Sequence, residues 1–183
     1  AEAADIQHAV PFVHATDVYA GGCEDLSDAK IVVIAAGASQ KPGETRLTLM
    51  ERNASILRQI ISSVARVNSK PLFLIATNPV DIITHISVNI AQEFNIPASR
   101  IIGSGTTLDT ARFRTLLGNY ISVDPQNIHA YVIGEHGDSE VLTWSNIDIG
   151  GVSLEDFTEF RKISFNEEIK QKMFVFEDIA LID

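Results

Sequence analysis

The chain has 183 residues, 45% of them hydrophobic, and a formal net charge of -10 at pH 7. That acidic balance argues against a general nucleic-acid surface while leaving room for local basic sites that take small anions. No apolar run reaches the roughly 18 residues of a membrane span, and the opening Ala1-Glu2-Ala3-Ala4-Asp5 lacks the positive charge of a secretory leader. Cys23 is the single cysteine, so no internal disulfide can form, which suits a reducing, cytoplasmic compartment.

A short element is expected first, near 12–19. Residues 29–36, AKIVVIAA, are predicted as a fully apolar strand ended by Gly37. Residues 44–68 are predicted as a long helix whose inner face carries Leu47, Met50, Ala54, Leu57, Ile61 and Val64. A second buried strand over 70–77 closes at Asn78-Pro79. A helix over 81–94, a brief strand at 101–103 and a helix over 107–117 follow. Continuous apolar strands alternating with helices predict an α/β fold with a parallel sheet covered on both faces.

After Asp124-Pro125 the pattern changes. Residues 131–133 and 141–149 are predicted as strands joined by a histidine turn. One helix is expected to begin near Ser153 and another to occupy 166–182. The domain boundary is placed near 103–110, with 1–103 and 104–183 as partial domains. Both ends read as cut: AEAAD has no helix start, and FEDIALID has neither a glycine nor a basic last turn.

The most informative stretch is Gly134-Glu135-His136-Gly137-Asp138-Ser139, directly after the apolar Ala130-Tyr131-Val132-Ile133. Glycines around a histidine at a strand end let the ring stand in a cleft. Histidine is also the side chain whose ordinary pKa allows proton exchange near neutrality. The alternative is an ordinary polar turn. Asp109 and Arg112 lie three apart, on one helical turn. Asp109 can orient an imidazole, and Arg112 can grip a carboxylate with two parallel bonds; the bland reading is a surface ion pair. Arg46 follows a Gly/Pro-bearing loop that leaves the carboxyl end of a strand, where open sheets bind ligands. It is either a cation delivered over a site or a solvated arginine in a first turn. Asn78 also ends a strand, either donating its amide to a carbonyl or closing an Asx-type turn. Arg114 and His129 are either a phosphate-binding pair at a symmetric interface or two scattered surface side chains. No metal is expected, because His129 and His136 lack a cysteine cluster or a short carboxylate–histidine spacing. Gly103-Ser104-Gly105-Thr106 does not match the G-x-S-x-G nucleophile turn.

The segments AGASQKPGETRLTLMERN, ATNPVDIIT, GSGTTLDTARFR and HAYVIGEHGDSE, in that order, resemble the L-lactate dehydrogenase branch of the lactate/malate dehydrogenase family over nearly the whole chain. The resemblance implies an NAD-binding Rossmann fold lacking its first two strands, followed by part of an α+β substrate domain. It implies reversible hydride transfer between NADH and pyruvate, giving L-lactate, in glycolysis or fermentation. His136 would exchange the proton, Asp109 would stand behind it, and Arg46 would polarise the carbonyl. Arg112 would hold the substrate carboxylate, with Gln40 and Asn78 also facing the substrate. Gly37 and Asn78 would touch NAD. Gln40 sits where the malate enzymes carry arginine, so a second substrate carboxylate would find no cationic partner. Arg114 and His129 match the fructose 1,6-bisphosphate pair of the bacterial allosteric enzymes, which implies a homotetramer.

One departure stands out. The chain has no G-x-G-x-x-G loop and no acidic residue about 20 positions beyond one. These 183 residues alone are therefore expected not to turn over. Two other readings are a malate-type or other 2-hydroxy-acid dehydrogenase, and a truncated interaction module with an open sheet edge.

Overall fold

The computed structural model describes residues 2–39, 41–43 and 45–174. They form two compact units. One holds the chain up to Thr77 together with Ile82–Ile102, and the other holds Asn78–Asp81 and the chain from Gly103 onward. Among the described residues no helix is long and apolar enough to cross a membrane.

The first unit begins with α1 (Glu2–Gln7) and is built on the strands β1 (Ile31–Ile34), β2 (Leu72–Ile75) and β3 (Ile101–Gly103), in the order β1-β2-β3. β1 and β2 run parallel, with Ile31 opposite Leu72 and Ile34 opposite Ile75. Helix α2 (Arg46–Val67) starts where the Thr45 side chain accepts a bond from the Thr48 amide, a standard N-cap. Its inner face is set by spacing: Leu57, Ile61 and Val64 are fully buried, and Met50 and Ala54 partly so. Beyond its end, Asn68 donates to the Leu26 and Ala29 carbonyls at 2.9 and 2.8 Å, which fastens the turn leading into β1. Helix α3 (Val80–Gln92) adds Ile83, Ile90 and Ala91 to the same core as Phe73 and Ile75.

Two expectations fail here. The element near 12–19 is only a 3-10 turn at Val10–Phe12 with irregular chain beyond it. Phe12, Val13 and Tyr19 are exposed, and apolar residues without a surface to bury against do not make a strand. β1 is also covered on one face only among the described residues. Val32 and Ile34 are buried, but Ile31 and Val33 are 60% and 58% exposed. β1 pairs on one side only among the described strands.

In the second unit, α4 (Thr107–Ile121) buries a stripe at spacing four: Asp109, Phe113, Leu117 and Ile121. The helix ends at Ser122 in the left-handed region (φ 57), with the Val123 amide bonded to the Gly118 carbonyl. Glycine is required there, since a Cβ on Gly118 would stand 2.7 Å from the Val123 carbonyl oxygen. β4 (Ile128–His129), β7 (Asp148–Ile149) and β8 (Val152–Ser153) form an antiparallel sheet in the order β4-β7-β8. β5 (Val132–Ile133) and β6 (Val141–Leu142) form a separate hairpin.

The strand predicted over 141–149 is thus two strands in two sheets. A 3-10 turn at Trp144–Asn146 separates them. It lets the indole of Trp144 meet Phe113 edge to face, with centroids 4.8 Å apart and planes at 83°. α5 (Leu154–Arg161) is capped by Ser153, whose hydroxyl accepts from the Asp156 amide. α6 (Glu167–Phe174) puts Met173 into the core. The part of the predicted last helix beyond 174 lies outside the described residues.

Candidate functional site

Asp109 shares the helix face of Phe113 and Leu117, so the packing that buries those two buries a carboxylate as well. Its side chain is 3% exposed. The position is in the first turn of α4, where the helix macrodipole favours negative charge. Two basic side chains attend it. His136 Nδ1 lies 2.6 Å from Asp109 Oδ2, and Arg112 Nη1 lies 3.4 Å from Oδ1. With Asp109 ionised the ring donates from Nδ1, which leaves Nε2 to exchange a proton with a ligand. The Arg112 side chain is 52% exposed, so most of its N–H donors face away from this contact.

The turn carrying His136 is held from several directions. Its backbone amide donates to Asp81 Oδ2 at 2.9 Å, from the first turn of α3. Ser139 Oγ donates to Glu135 at 2.8 Å, and the Glu140 amide donates to the Gly137 carbonyl. Gly134 adopts φ 96, a conformation that would strain any other residue. Glu140 joins the cluster: one ligating atom each from Asp109, His136 and Glu140 all lie within 4.8 Å of one another. Burial first, then the charge of Asp109, pushes the Glu140 carboxyl above its ordinary value, against the pull of His136 and Arg112. The imidazole Nδ1 is already tied to Asp109.

Asn78 belongs to the same unit, exposed at the start of its short segment 78–81, and the Asn78-Pro79 bond is cis. Of the other site residues expected from sequence, Arg46 opens α2 in the first unit, its side chain outside what is described, and Gln40 lies outside the described residues. Gly37 sits exposed just beyond the carboxyl end of β1. A Cβ there would stand 2.6 Å from Thr77 Cγ2, so the backbone comes close to the end of β2. Two buried polar residues that sequence reasoning missed fix this turn. Asn53 Oδ1 accepts from the Ala38 amide at 2.7 Å, and Thr77 Oγ1 donates to the Ala36 carbonyl at 2.8 Å. Replacing Asn53 with leucine leaves the Ala38 amide without its acceptor. The expected cost is about 1–3 kcal/mol, measured by urea unfolding, and an unchanged midpoint would refute the assigned role.

Arg114 donates from Nε to the Ala130 carbonyl at 2.8 Å, and its guanidinium lies 4.8 Å from the centre of the Tyr131 ring. It lines a cavity of about 650 Å³ with Thr106, Thr107, Thr110 and Gln126 among its neighbours. His129 is exposed on β4, opposite Asp148, and is not among the lining residues. Sequence reasoning also missed Asp81 and Glu140 as parts of the histidine site. Both stand inside segments it did single out, NPVD and HGDSE, but neither spacing reveals which residue the folded turn meets.

The lactate/malate dehydrogenase NAD binding domain matches residues 1–103, and the alpha/beta C-terminal domain of the same family matches residues 106–175. The L-lactate dehydrogenase of Geotalea daltonii is 56% identical over 165 residues, which is 90% of this chain and 53% of that protein. That of Chloroherpeton thalassium is 51% identical over 173 residues, 94% of this chain and 56% of that protein. The crystal structure of MGS-M5, a lactate dehydrogenase enzyme from a Medee basin deep-sea metagenome library, superposes with a TM-score of 0.85 at 37% identity. It covers 98% of this chain and 56% of its own. The chain therefore spans about half the length of the curated relatives it matches. A Rossmann-type α/β domain followed by an α+β domain, each matched by its own family model, makes this chain a member of the lactate/malate dehydrogenase family.

Proposed function

We propose that this chain is part of an NAD-dependent L-lactate dehydrogenase, an enzyme that interconverts pyruvate and L-lactate. The observation that carries the reading is the 2.6 Å contact between His136 Nδ1 and the buried Asp109, with the half-exposed Arg112 beside it. A protonated ring so oriented can deliver a proton from Nε2, and a guanidinium three residues along the same helix can hold a small acid by its carboxylate.

The nicotinamide, when bound, supplies the hydride. The chain offers a place for one end of such a cofactor: an exposed, side-chain-free Gly37 beside the carboxyl ends of parallel strands, pinned by Asn53 and Thr77. The sequence contains no glycine-rich loop for the pyrophosphate. By the family resemblance, Gly37 and Asn78 would touch the nicotinamide end. Arg112 fixes the substrate carboxylate, so the keto carbon is presented in one orientation. By the family resemblance, Arg46 would stabilise the negative charge that grows on the keto oxygen. His136 then gives that oxygen its proton, and Asp109 holds the ring in the donating orientation. In the reverse direction the neutral ring accepts the hydroxyl proton. Gln40 offers no positive charge to a second carboxylate, which favours pyruvate over oxaloacetate.

Steady-state NADH oxidation by the full-length protein, with pyruvate and oxaloacetate compared, is the test. Higher kcat/KM for pyruvate is expected, and preference for oxaloacetate would overturn the assignment in favour of a malate-type enzyme. The same assay on the 183 residues alone is expected to show no turnover. The reading extends to a cytoplasmic homotetramer answering to fructose 1,6-bisphosphate. Supporting it are the resemblance at Arg114 and His129 and the cavity beside Arg114. The single, exposed Cys23 suits the reducing compartment.

A further inference from the structure

We propose that Glu140 is a positioning residue whose carboxylate, together with Asp109, holds the His136 ring in its charged, proton-delivering form; this rests on the reading of His136 as the proton donor. The fold places Glu140 at the far end of the histidine turn. It immediately precedes β6, whose Val141 pairs with Ile133 of β5, so both ends of the histidine turn are anchored in one hairpin. The Glu140 amide closes the turn onto the Gly137 carbonyl at 3.1 Å. The carboxylate is thereby returned to within 4.8 Å of the ligating atoms of His136 and Asp109. Within that radius an anion stabilises a neighbouring imidazolium even where water partly screens it.

The charges that face the ring come from three elements. α4 supplies Asp109 and Arg112, α3 supplies Asp81 through the His136 amide, and the turn itself supplies Glu140. Glu135 is engaged by Ser139, and Asp138 is exposed. Asp109, Glu140 and Asp81 against protonated His136 and Arg112 leave one net negative charge. Without Glu140 that excess is gone before any substrate arrives, and the ring proton would be less firmly held. Partial burial and the Asp109 charge work against ionising Glu140, so its contribution is present only once pH has passed its raised value.

The test is the pH profile of kcat/KM for pyruvate reduction by the full-length protein, for the parent and for Glu140→Gln, with Glu140→Ser as a second charge-removing variant and Glu140→Asp as the conservative one. Reduction needs the protonated ring, so the rate falls on the alkaline side. In Glu140→Gln and Glu140→Ser that falling limb is expected to move to lower pH by about one unit. The rising limb of lactate oxidation should move in the same direction, and Glu140→Asp should restore most of the parent profile. A purely structural role would lower the rate without moving either limb. Superimposed limbs, or a move to higher pH, overturn the proposal. A second readout keeps this separate from the assignment of the reaction: the midpoint of the His136 ring resonance, followed by NMR against pH in the parent and Glu140→Gln. If the parent fails to reduce pyruvate, the reaction assignment falls, and the NMR midpoint still decides whether Glu140 acts on the ring. A lower midpoint in the variant supports the proposal, and an equal or higher one refutes it.

Discussion

Replacing His136 with asparagine is expected to lower kcat/KM for pyruvate reduction by about three orders of magnitude, within the range that positioned acid–base groups supply. Asparagine is chosen because its amide N–H can still donate to Asp109, taking over the bond made by Nδ1 at 2.6 Å. The buried carboxylate keeps a partner, and the helix face that carries it is undisturbed. Only the exchangeable proton on the far side of the ring is removed. Stability measured by thermal unfolding should therefore change little while turnover collapses. Retention of more than a tenth of parental kcat/KM would mean that His136 is not the proton donor. A parallel loss of rate and stability would mean that the histidine serves mainly to hold its turn. Asp81 bonds only the backbone amide of residue 136 and is unaffected by the exchange, so the turn itself should survive.

The elements that sequence made legible are those whose burial follows a simple period. α2 is one: Leu57, Ile61 and Val64 recur at helical spacing and are fully buried. β2 is another, since its apolar run has partners on both sides. Sequence failed where burial depends on distant chain. The run IVVI in β1 promises two covered faces, yet Ile31 and Val33 are exposed among the described residues. The stretch 141–149 promises one strand, but Trp144 turns toward Phe113 and the pairing passes from β5 to β4. The site divides in the same way. His136, Asp109 and Arg112 could be named from residue type and spacing, because a histidine between glycines and an acid–base pair one helical turn apart are local facts. Glu140, Asp81, Asn53 and Thr77 could not. Each acts through a bond or a charge whose other end lies elsewhere in the fold, and nothing local marks an ordinary glutamate or threonine as the one that returns to the site.

Phe113→Ala is expected to destabilise the protein by about 3–5 kcal/mol, the cost of deleting a buried aromatic ring and leaving a cavity. The ring is fully buried, one helical turn beyond Asp109 and one before Leu117, in a core shared with Ile128, Val132 and Ile149. Its edge-to-face contact with Trp144 adds a directional term that an aliphatic side chain cannot reproduce. Phe113→Leu, which retains most of the volume, should therefore cost less than half as much. Urea unfolding of the full-length protein, followed by Trp144 fluorescence, measures both. Because Phe113 is what presses this face of α4 into the core, the alanine variant should also loosen Asp109. The resulting loss of kcat should exceed that of Phe113→Leu even at temperatures where both variants are folded. A cost below 1 kcal/mol for Phe113→Ala would show that the Phe113–Trp144 contact does not sustain this core. The break in the 141–149 strand would then need another cause.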